Sequence, residues 1–309
     1  MTIVCATHFT ASSTDAVAVA AQLARRTGQP LWLVTVLPGL GLTAPGPRER
    51  AIDDSLHQQA DAFRKEGLTV EVAALHGRIE RALGKLCSDV NARLLVVGES
   101  RHKTVLLATP IDRIAFGVTV PLLVVRTKDA FESWAKGEKP LRVLLAIDHT
   151  WSSAVARDWL TGLSTYGPLE VVATHVWTPA EEFERRGGGK PMTPADEGTM
   201  AEQLVREAEA ALRVLPSNIK SRVQLEPQGQ GHVGEQLLNL AQREKVDMLV
   251  LGTHPKKGLL ARLTSTSHEV LASGLMSVAL VPGEGLSAEA LARSSPSSPR
   301  TMKERTHPS

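Results

Sequence analysis

Hydroxyl and lysine side chains follow the apolar run 248–252 in an order suited to holding phosphate. Residues 264–267 form a run of four hydroxyl residues just before a stretch with helical periodicity. Helix N-termini favour phosphate because their free N–H groups and the helix dipole both attract negative charge. Lys256 and Lys257 lie between the apolar run and the hydroxyl run, where they would screen phosphate charge. Serine and threonine also cap helices without any ligand, so both roles are open for the hydroxyl run.

A carboxylate and a glycine occupy the ends of two apolar runs. Asp148 follows the run 141–147, and its carboxylate would accept hydrogen bonds from a ribose hydroxyl or a base amine. Gly252 ends the run that precedes the lysines, and the lack of a Cβ would let backbone approach a ligand closely. His8 and Gly98 stand at the corresponding positions of the first half. Only the second half therefore combines the carboxylate with the glycine.

Ten short apolar runs predict the strands that would position these side chains. Each run is rich in leucine or β-branched residues and apolar at successive positions, which is typical of strands buried on both faces of a parallel sheet. The predicted strands are 3–7, 31–37, 69–74, 94–98 and 121–126, then 141–147, 169–177, 222–226, 248–252 and 278–282. The predicted helices are 12–27, 49–66, 78–91 and 110–117, then 152–164, 195–214, 233–245 and 266–274.

This alternation predicts an α/β chain of two tandem doubly wound domains. Each would contain a five-stranded parallel sheet of order 3-2-1-4-5 with helices on both faces. The length of 309 residues agrees with two domains. Ligands of such sheets bind beyond the carboxyl ends of the strands at the point where strand order reverses, here between strands 1 and 4. That point would bring Asp148 and Gly252 together.

The sequence divides into four segments. Domain 1 is predicted at 1–127 and domain 2 at 141–283, with a linker at 128–140 between them. The second copy is longer than the first, which places an insertion rich in glycine, proline and charge at 178–198. Residues 284–309 are rich in serine, proline and charge, and we predict a disordered tail because they offer too few apolar residues for a core.

Composition argues against several functional classes. A net charge of +2 gives no reason to expect binding to nucleic acid or to a membrane surface. The N-terminus lacks the basic and apolar regions of a signal peptide, and no apolar run reaches the ~18 residues of a membrane span. Cys5 and Cys87 form no metal-spaced cluster and are expected to be buried thiols in a reduced compartment. The sequence predicts a cytoplasmic protein.

The two halves resemble the universal stress protein family over nearly everything except the linker and the tail. The resemblance is carried by the opening strand that ends in Asp148 and by the segment Leu-Val-Leu-Gly-Thr-His that ends at His254. It also includes Val176 at the end of the second strand of this half, Gly231 before a helix, and the closing segment Ser-Val-Ala-Leu-Val-Pro. The chain is similar to tandem, two-domain members of the family.

The phosphate-binding motif of the family is kept only in part. Nucleotide-binding members carry a glycine, two residues, a second glycine, nine residues, and a third glycine followed by serine or threonine. Gly252, Pro255 and Ser265 occupy the three glycine positions here, and Thr266 follows them. The proline removes a backbone N–H group, and the serine adds a side chain beside the expected phosphate. Domain 1 departs further, with Arg101 at the second position, and its site is predicted to be degenerate.

The resemblance implies that domain 2 binds an adenine nucleotide, ATP or a related one, with no metal beyond nucleotide-bound Mg²⁺. Asp148 would contact the base or the ribose, and Val176 would pack on the base. Gly252 and His254 would hold phosphates together with the hydroxyl run. The predicted nucleotide-binding residues are Ala146, Ile147, Asp148, Val176, Leu251, Gly252, His254, Ser265, Thr266 and Ser267. The protein would act as a stress-response regulator.

A second interpretation stays open because the motif is incomplete. Both sites would then have decayed, and the chain would be a nucleotide-independent interaction scaffold. No GxSxG motif or ordered Ser–His–Asp set is present, so no catalytic residues are predicted and no activity beyond slow ATP hydrolysis is expected. His149, His175, His232 and His254 would gather at one edge of a sheet. The fold alone explains that gathering, so no metal centre is predicted.

The fifth strand of each copy, at 121–126 and 278–282, would form an exposed edge. Exposed apolar edges tend to be paired or covered. Pairing of the two fifth strands with each other would make the chain an internal pseudo-dimer, and single domains of the family associate through this edge. The association of two chains into a homodimer is open, and neither nucleic acid nor membrane is expected as a partner.

Overall fold

Successive apolar residues in ten short segments form the strands of a computed structural model, which describes residues 2–39, 46–99, 109–187, 194–229, 231–254 and 266–283. The strands are β1 Thr2–Ala6, β2 Leu31–Leu37, β3 Val70–His76, β4 Ala92–Gly98, β5 Leu122–Val125, β6 Leu141–Ala146, β7 Leu169–Trp177, β8 Ile219–Pro227, β9 Met248–Thr253 and β10 Ser277–Pro282. The helices are α1 Ala11–Thr27, α2 Pro47–Lys65, α3 Ile79–Asp89, α4 Pro110–Gly117, α5 Asp129–Ala135, α6 Trp151–Leu163, α7 Pro179–Arg185, α8 Pro194–Leu212, α9 Val233–Arg243 and α10 Thr266–Ser273. All predicted strands and helices are present, with their ends shifted by at most three residues.

The strands form one continuous sheet in the order β3-β2-β1-β4-β5-β10-β9-β6-β7-β8. Each half therefore has the predicted order 3-2-1-4-5, and the strands within each half run parallel. β5 and β10 pair antiparallel, with Leu123 opposite Ala279. The predicted pairing of the two fifth strands is thus confirmed, and it joins the two halves through a shared sheet.

Helices cover both faces of the sheet, as predicted for a doubly wound fold. Alternate strand residues point to opposite faces, so β6 places Val143 and Leu145 in one core and Leu144 in the other. The first core includes residues of α1, α2, α5, α6 and α8. The second core includes residues of α3, α4, α9 and α10. The same two layers run through both halves.

Two short helices form in segments for which the sequence predicted no secondary structure. α5 lies inside the predicted linker, and its Phe131 and Trp134 are each only 1% exposed. The indole Nε1 of Trp134 donates a hydrogen bond of 2.9 Å to the carbonyl of Pro168. α7 lies inside the predicted insertion. The linker is therefore part of the packed structure, whereas the predicted tail at 284–309 lies outside the described residues.

Charged side chains are buried where the two halves meet. Arg126, which follows β5, contacts the carboxylate of Glu99 at 3.1 Å and donates to the carbonyl of Gly274 in the other half. Asp112 in α4 and His268 in α10 form a second buried pair, with 2.8 Å between Oδ1 and Nδ1. Polar contacts therefore join the halves in addition to the β5–β10 ladder.

Glu99 at this junction gives the stability of the protein a pH dependence. Burial raises the pKa of Glu99 from 4.5 to about 7, although the positive charge of Arg126 opposes the rise. The folded protein thus holds this proton more tightly than the unfolded chain. The proton on Glu99 therefore stabilises the folded state at pH values below the ordinary pKa of 4.5. This contribution to the free energy of unfolding, at most about 3 kcal/mol, is lost as the pH rises through about 7.

We expect Glu99→Gln to remove this pH dependence, because glutamine has no carboxyl proton to lose. The measurement is the free energy of unfolding from denaturant titrations at about pH 5 and about pH 8. Glu71→Gln is the control, since Glu71 is exposed on β3 and should leave the wild-type pH dependence intact. An equal loss of stability between the two pH values in wild type and Glu99→Gln would contradict the assignment.

Candidate functional site

A cavity opens beyond the carboxyl ends of β6, β7 and β9, beside α9 and α10. Its volume is about 360 Å³, within the range of about 300–1,000 Å³ typical of small-ligand pockets. β6 and β9 are the first and fourth strands of their half, so the cavity lies at the predicted point where strand order reverses. The predicted residues that line it are Ala146, Ile147, Asp148, Val176, Leu251, Gly252, His254, Thr266 and Ser267. Ser265 lies outside the described residues, as do Pro255, Lys256 and Lys257.

Asp148 lies exposed at the mouth of this cavity. Its Oδ1 accepts a hydrogen bond of 2.8 Å from the backbone N–H of Thr150, the N-cap residue of α6, and another from the Thr150 hydroxyl. His8 makes a similar contact in domain 1, where its Nε2 lies 2.9 Å from Oγ1 of Thr10. This contact therefore belongs to the turn before the helix in both halves. The other oxygen of Asp148, Oδ2, accepts no hydrogen bond in the described part of the chain and is the acceptor that a ligand would meet.

Gly252 is required by packing between a helix and a strand. A Cβ at this position would overlap the backbone carbonyl of Ser152 in the first turn of α6. A Cβ on Gly98 in domain 1 would overlap the carbonyl of Ser12 in α1 in the same way. The glycine is needed in both halves whether or not a ligand is bound. Gly252 alone is therefore not an indication of phosphate binding.

One wall of the cavity is apolar and contains a residue of domain 1. Ala146, Val176 and Leu251 line it from the strand ends of domain 2, and Val233 and Leu237 line it from α9. Phe116, from α4 of domain 1, also lines the cavity.

Phe116 is a lining residue that was not predicted from the sequence. The sequence assigned every site residue to domain 2, whereas pairing of β5 with β10 brings α4 of domain 1 close to α10 of domain 2. The only signal for it was the predicted pairing of the fifth strands. The structure therefore makes the cavity a feature of the joined halves, because Phe116 lines it together with residues of domain 2.

The lining also contains polar side chains, among them Thr150, Ser153 and His254. Hydroxyl groups of Thr150 and Ser152 lie 3.1 Å apart, and Oγ of Ser152 lies 3.0 Å from Nδ1 of His254. No carboxylate among the described residues contacts His254, so Ser152 and His254 do not form a hydrolytic triad. Thr266 and Ser267 place the N-terminus of α10 at the cavity, where backbone N–H groups favour an anion. These polar groups suit phosphate better than they suit acyl chemistry.

The corresponding helix start of domain 1 uses its own side chains for capping. Oγ1 of Thr109 accepts a hydrogen bond of 3.2 Å from the N–H of Asp112 and donates one of 2.8 Å to Oδ2 of the same residue. The N–H of Thr109 also donates to this oxygen, at 2.7 Å. The hydroxyl and the backbone N–H of Thr109 are thus both hydrogen-bonded to Asp112 within the start of α4. The degenerate site of domain 1 stays a prediction, since residues 100–108 of its loop lie outside the described residues.

A second group of ionisable side chains lies on the α6–α8 side of the strand ends. Nε2 of His149 and Nε2 of His175 each lie 3.3 Å from Oε1 of Glu182. The other oxygen of Glu182, Oε2, accepts hydrogen bonds of 2.9 and 2.7 Å from Arg185. Burial disfavours ionisation of Glu182, but the hydrogen bond and charge of Arg185 outweigh it and lower its pKa to about 2. Burial and the charge of Arg185 also lower the pKa of His149.

Of the four histidines expected at this edge, the structure brings His149 and His175 together, with ring centroids 5.1 Å apart. His232 and His254 are exposed and do not belong to this group. Sequence reasoning missed Glu182, which lies in α7 within the predicted insertion. A signal for α7 was present, because Thr178 and Pro179 are typical N-cap and N1 residues.

Comparison with known proteins gives one family and several solved structures. The family model described as "Universal stress protein family" matches residues 1–126 and 141–282. A universal stress protein from Archaeoglobus fulgidus DSM 4304 is 15% identical, with a TM-score of 0.63 over 91% of this chain and 98% of its own. The functionally unknown protein PA1789 from Pseudomonas aeruginosa PAO1 is 14% identical, with a TM-score of 0.59 over 91% of this chain and 92% of its own.

A putative universal stress protein from Pseudomonas aeruginosa UCBPP-PA14 is 16% identical, with a TM-score of 0.58 over 91% of this chain and 92% of its own. These structures share the fold of the whole tandem chain. A comparison with curated proteins finds none that matches. None of the helices in the described ranges is long and apolar enough to cross a membrane.

Proposed function

The chain belongs to the universal stress protein family, and we propose that it is a stress-response regulator whose second domain binds an adenine nucleotide, ATP first among them. The observation that carries the proposal is the convergence of nine predicted residues on one cavity at the point where strand order reverses. The cavity combines apolar and polar lining residues, as a nucleotide requires. Any Mg²⁺ would arrive with the nucleotide.

The apolar and polar lining residues of the cavity suit the two ends of a nucleotide. The base would pack against Val176, Leu251 and Phe116 on the apolar wall. The ribose or the base amine would donate to Oδ2 of Asp148, since Oδ1 is held by the turn before α6. The phosphates would lie near His254 and the N-terminus of α10, whose N–H groups and dipole favour negative charge.

The proposed role is binding, with at most slow hydrolysis of ATP. His254, which lines the cavity, contacts the buried hydroxyl of Ser152, and no carboxylate among the described residues contacts His254. Asp148, the carboxylate at the cavity mouth, is oriented by Thr150. Such a site would hold a nucleotide as a signal of cellular state.

A second candidate is a nucleotide-independent interaction scaffold. It is favoured by the structural uses of two site residues: Gly252 accommodates the backbone of Ser152, and Asp148 forms the turn before α6. Both uses recur in domain 1 with Gly98 and His8, where the phosphate motif is absent. Titration with ATP separates the two candidates, because a scaffold of this type would show no saturable binding.

We expect Asp148→Asn to weaken ATP binding by about tenfold or more, because a hydrogen bond to a charged group contributes about 1.5–3 kcal/mol and 1.4 kcal/mol corresponds to a tenfold change. Asparagine keeps an oxygen for the contact with Thr150 and replaces the negative charge at Oδ2. The substitution therefore tests the ligand contact while preserving the turn. The measurement is a calorimetric titration of ATP into the full chain.

Asp61→Asn is the matched control, since Asp61 is exposed on α2 far along the sheet and should leave the affinity unchanged. In the same titration Phe116→Ala should weaken binding by about two- to tenfold, as expected for loss of one aromatic contact. Absence of saturable ATP binding to the wild-type chain would reject the nucleotide proposal in favour of the scaffold. Unchanged affinity in Asp148→Asn would move the ligand away from the end of β6.

A further inference from the structure

Three side chains on the α6–α8 side of the strand ends direct one nitrogen or oxygen atom each toward a common point. These atoms are Nε2 of His149, Nε2 of His175 and Oε1 of Glu182, and all lie within 4.8 Å of one another. Oε1 lies 3.3 Å from each of the two nitrogens. The residues come from three elements: the turn after β6, β7 and α7. The fold, rather than local sequence spacing, brings them together.

The hydrogen bond at the far side of His175 decides which atom faces this point. Nδ1 of His175 lies 3.0 Å from the carbonyl oxygen of Ile147. A carbonyl oxygen only accepts, so Nδ1 carries the hydrogen and Nε2 of the neutral ring presents its lone pair to Oε1 of Glu182. Two acceptors facing each other at 3.3 Å need a positive charge between them or on the ring. Metal-bound histidines have this same second hydrogen bond to a carbonyl or carboxylate.

The carboxylate is oriented in a comparable way. Arg185 holds Oε2 of Glu182 with two hydrogen bonds of 2.9 and 2.7 Å, which leaves Oε1 directed at the histidines. Arg185 and Arg186 are themselves paired with Glu207 as well as with Glu182. The positive charges of the two arginines thus balance the negative charges of the two glutamates around the cluster. Ligating carboxylates are commonly fixed by such hydrogen bonds.

We propose that His149, His175 and Glu182 form a binding site for a divalent transition-metal ion, with zinc as the best match. Two imidazoles and one carboxylate are a ligand set that zinc uses in sites that keep a fourth position open. Tetrahedral coordination with ligand distances of about 2.0–2.1 Å places ligand atoms about 3.3 Å apart. The two distances of 3.3 Å to Oε1 agree with this geometry.

A second cavity, of about 180 Å³, lies beside the two histidines of the cluster, between α6 and α8. His149, His175 and Glu207 line this cavity, together with Arg157 from α6. The space admits a water molecule or a small anionic ligand of the metal, and Arg157 would favour the anion. His175 also lines the nucleotide cavity, whose proposed phosphate end lies beside α10.

The test uses the full chain without a polyhistidine tag, stripped of metal with a chelator and titrated with Zn²⁺ by calorimetry and with Co²⁺ by visible absorption. We expect one equivalent of each ion to bind, with the intense visible bands of tetrahedral Co²⁺. His149→Ala and Glu182→Gln should each weaken binding by more than about 100-fold, since loss of an outer partner alone costs about 10–100-fold. His149 is exposed, so its substitution should leave the fold intact, as circular dichroism would verify.

His232→Ala is the matched control, because His232 is an exposed histidine of the same domain outside the cluster. It should bind both ions like the wild-type chain. Absence of saturable binding of Zn²⁺ or Co²⁺ would overturn the proposal and leave the cluster as a group of side chains that contact only one another. Binding that His149→Ala and Glu182→Gln leave unchanged would overturn it equally. Neither result depends on whether ATP binds.

Discussion

Replacing His268 by alanine is expected to lower the free energy of unfolding by about 3 kcal/mol, since removing one partner of a buried charged pair costs about 3–5 kcal/mol. His268 and Asp112 have side chains only 5% and 2% exposed, and 2.8 Å separates their contacting atoms. Without the imidazole, Oδ1 of Asp112 is left buried without this donor. The cost falls at the lower end of the range because Thr109 continues to donate to Oδ2. Denaturant unfolding followed by circular dichroism measures the loss.

A matched comparison is available within the same chain. His57 and Asp53 in α2 also form a histidine–aspartate pair, but the atoms are 3.7 Å apart and both side chains are about half exposed. His57→Ala should therefore change the stability by less than about 1 kcal/mol. His268→Asn, which keeps an amide donor toward Asp112, should recover much of the loss. Equal effects of His57→Ala and His268→Ala would show that the buried pair does not stabilise the junction.

Replacing Trp134 by alanine is expected to remove about 3–5 kcal/mol of stability, as for other large buried aromatic residues. Trp134 is 1% exposed, and its ring lies 6.3 Å from the rings of both Phe131 and Tyr166. Its indole occupies the space beside Gly167, where a Cβ would overlap Nε1. The substitution would leave a cavity between α5 and domain 2 and remove one of the two hydrogen bonds that the carbonyl of Pro168 accepts, the other coming from the N–H of Leu141 at 3.1 Å. Urea unfolding followed by circular dichroism measures the change.

Trp151 is the control for this substitution. It is 56% exposed at the start of α6, with one hydrogen bond of 3.1 Å from its Nε1 to the carbonyl of Gly283. Trp151→Ala should cost about 1 kcal/mol or less, since a single hydrogen bond contributes about 0.5–1.5 kcal/mol. A loss in Trp134→Ala as small as that in Trp151→Ala would mean that α5 is a tether and not part of the core.

The strands were predictable because their physical signal is local. β2 and β7 begin and end at the predicted residues, since mostly apolar runs there are bounded by polar or turn-forming residues. α5 and α7 were not predicted, because each is only seven residues long and lies in a segment with many charges. Their stability comes from tertiary burial, such as that of Phe131 and Trp134. A segment of seven residues is too short for its hydrophobic periodicity to reveal such burial.

The site was predictable to the extent that the fold alone determines it. Parallel strands bring their carboxyl ends to one edge, so the clustering of Asp148 with Gly252 followed from strand order. Phe116 and Glu182 escaped because their positions depend on contacts between distant elements, across the β5–β10 pairing and through α7. The packing role of Gly252 was not predicted, since only the three-dimensional structure shows the carbonyl of Ser152 against it.

The β5–β10 ladder relates the two halves symmetrically, and the Asp112–His268 pair lies across the same symmetric junction. Leu123 faces Ala279 across the ladder, and Asp112 faces His268 across the same 156-residue offset, so each pair joins equivalent positions of the two halves. Two copies of domain 1 meeting in this way would bury aspartate against aspartate, and two copies of domain 2 would bury histidine against histidine. Like residues there repel or lack a partner, whereas the unlike pair is complementary. Covalent fusion and side-chain chemistry thus select the same heterotypic arrangement, in which each half recognises the other and rejects a copy of itself.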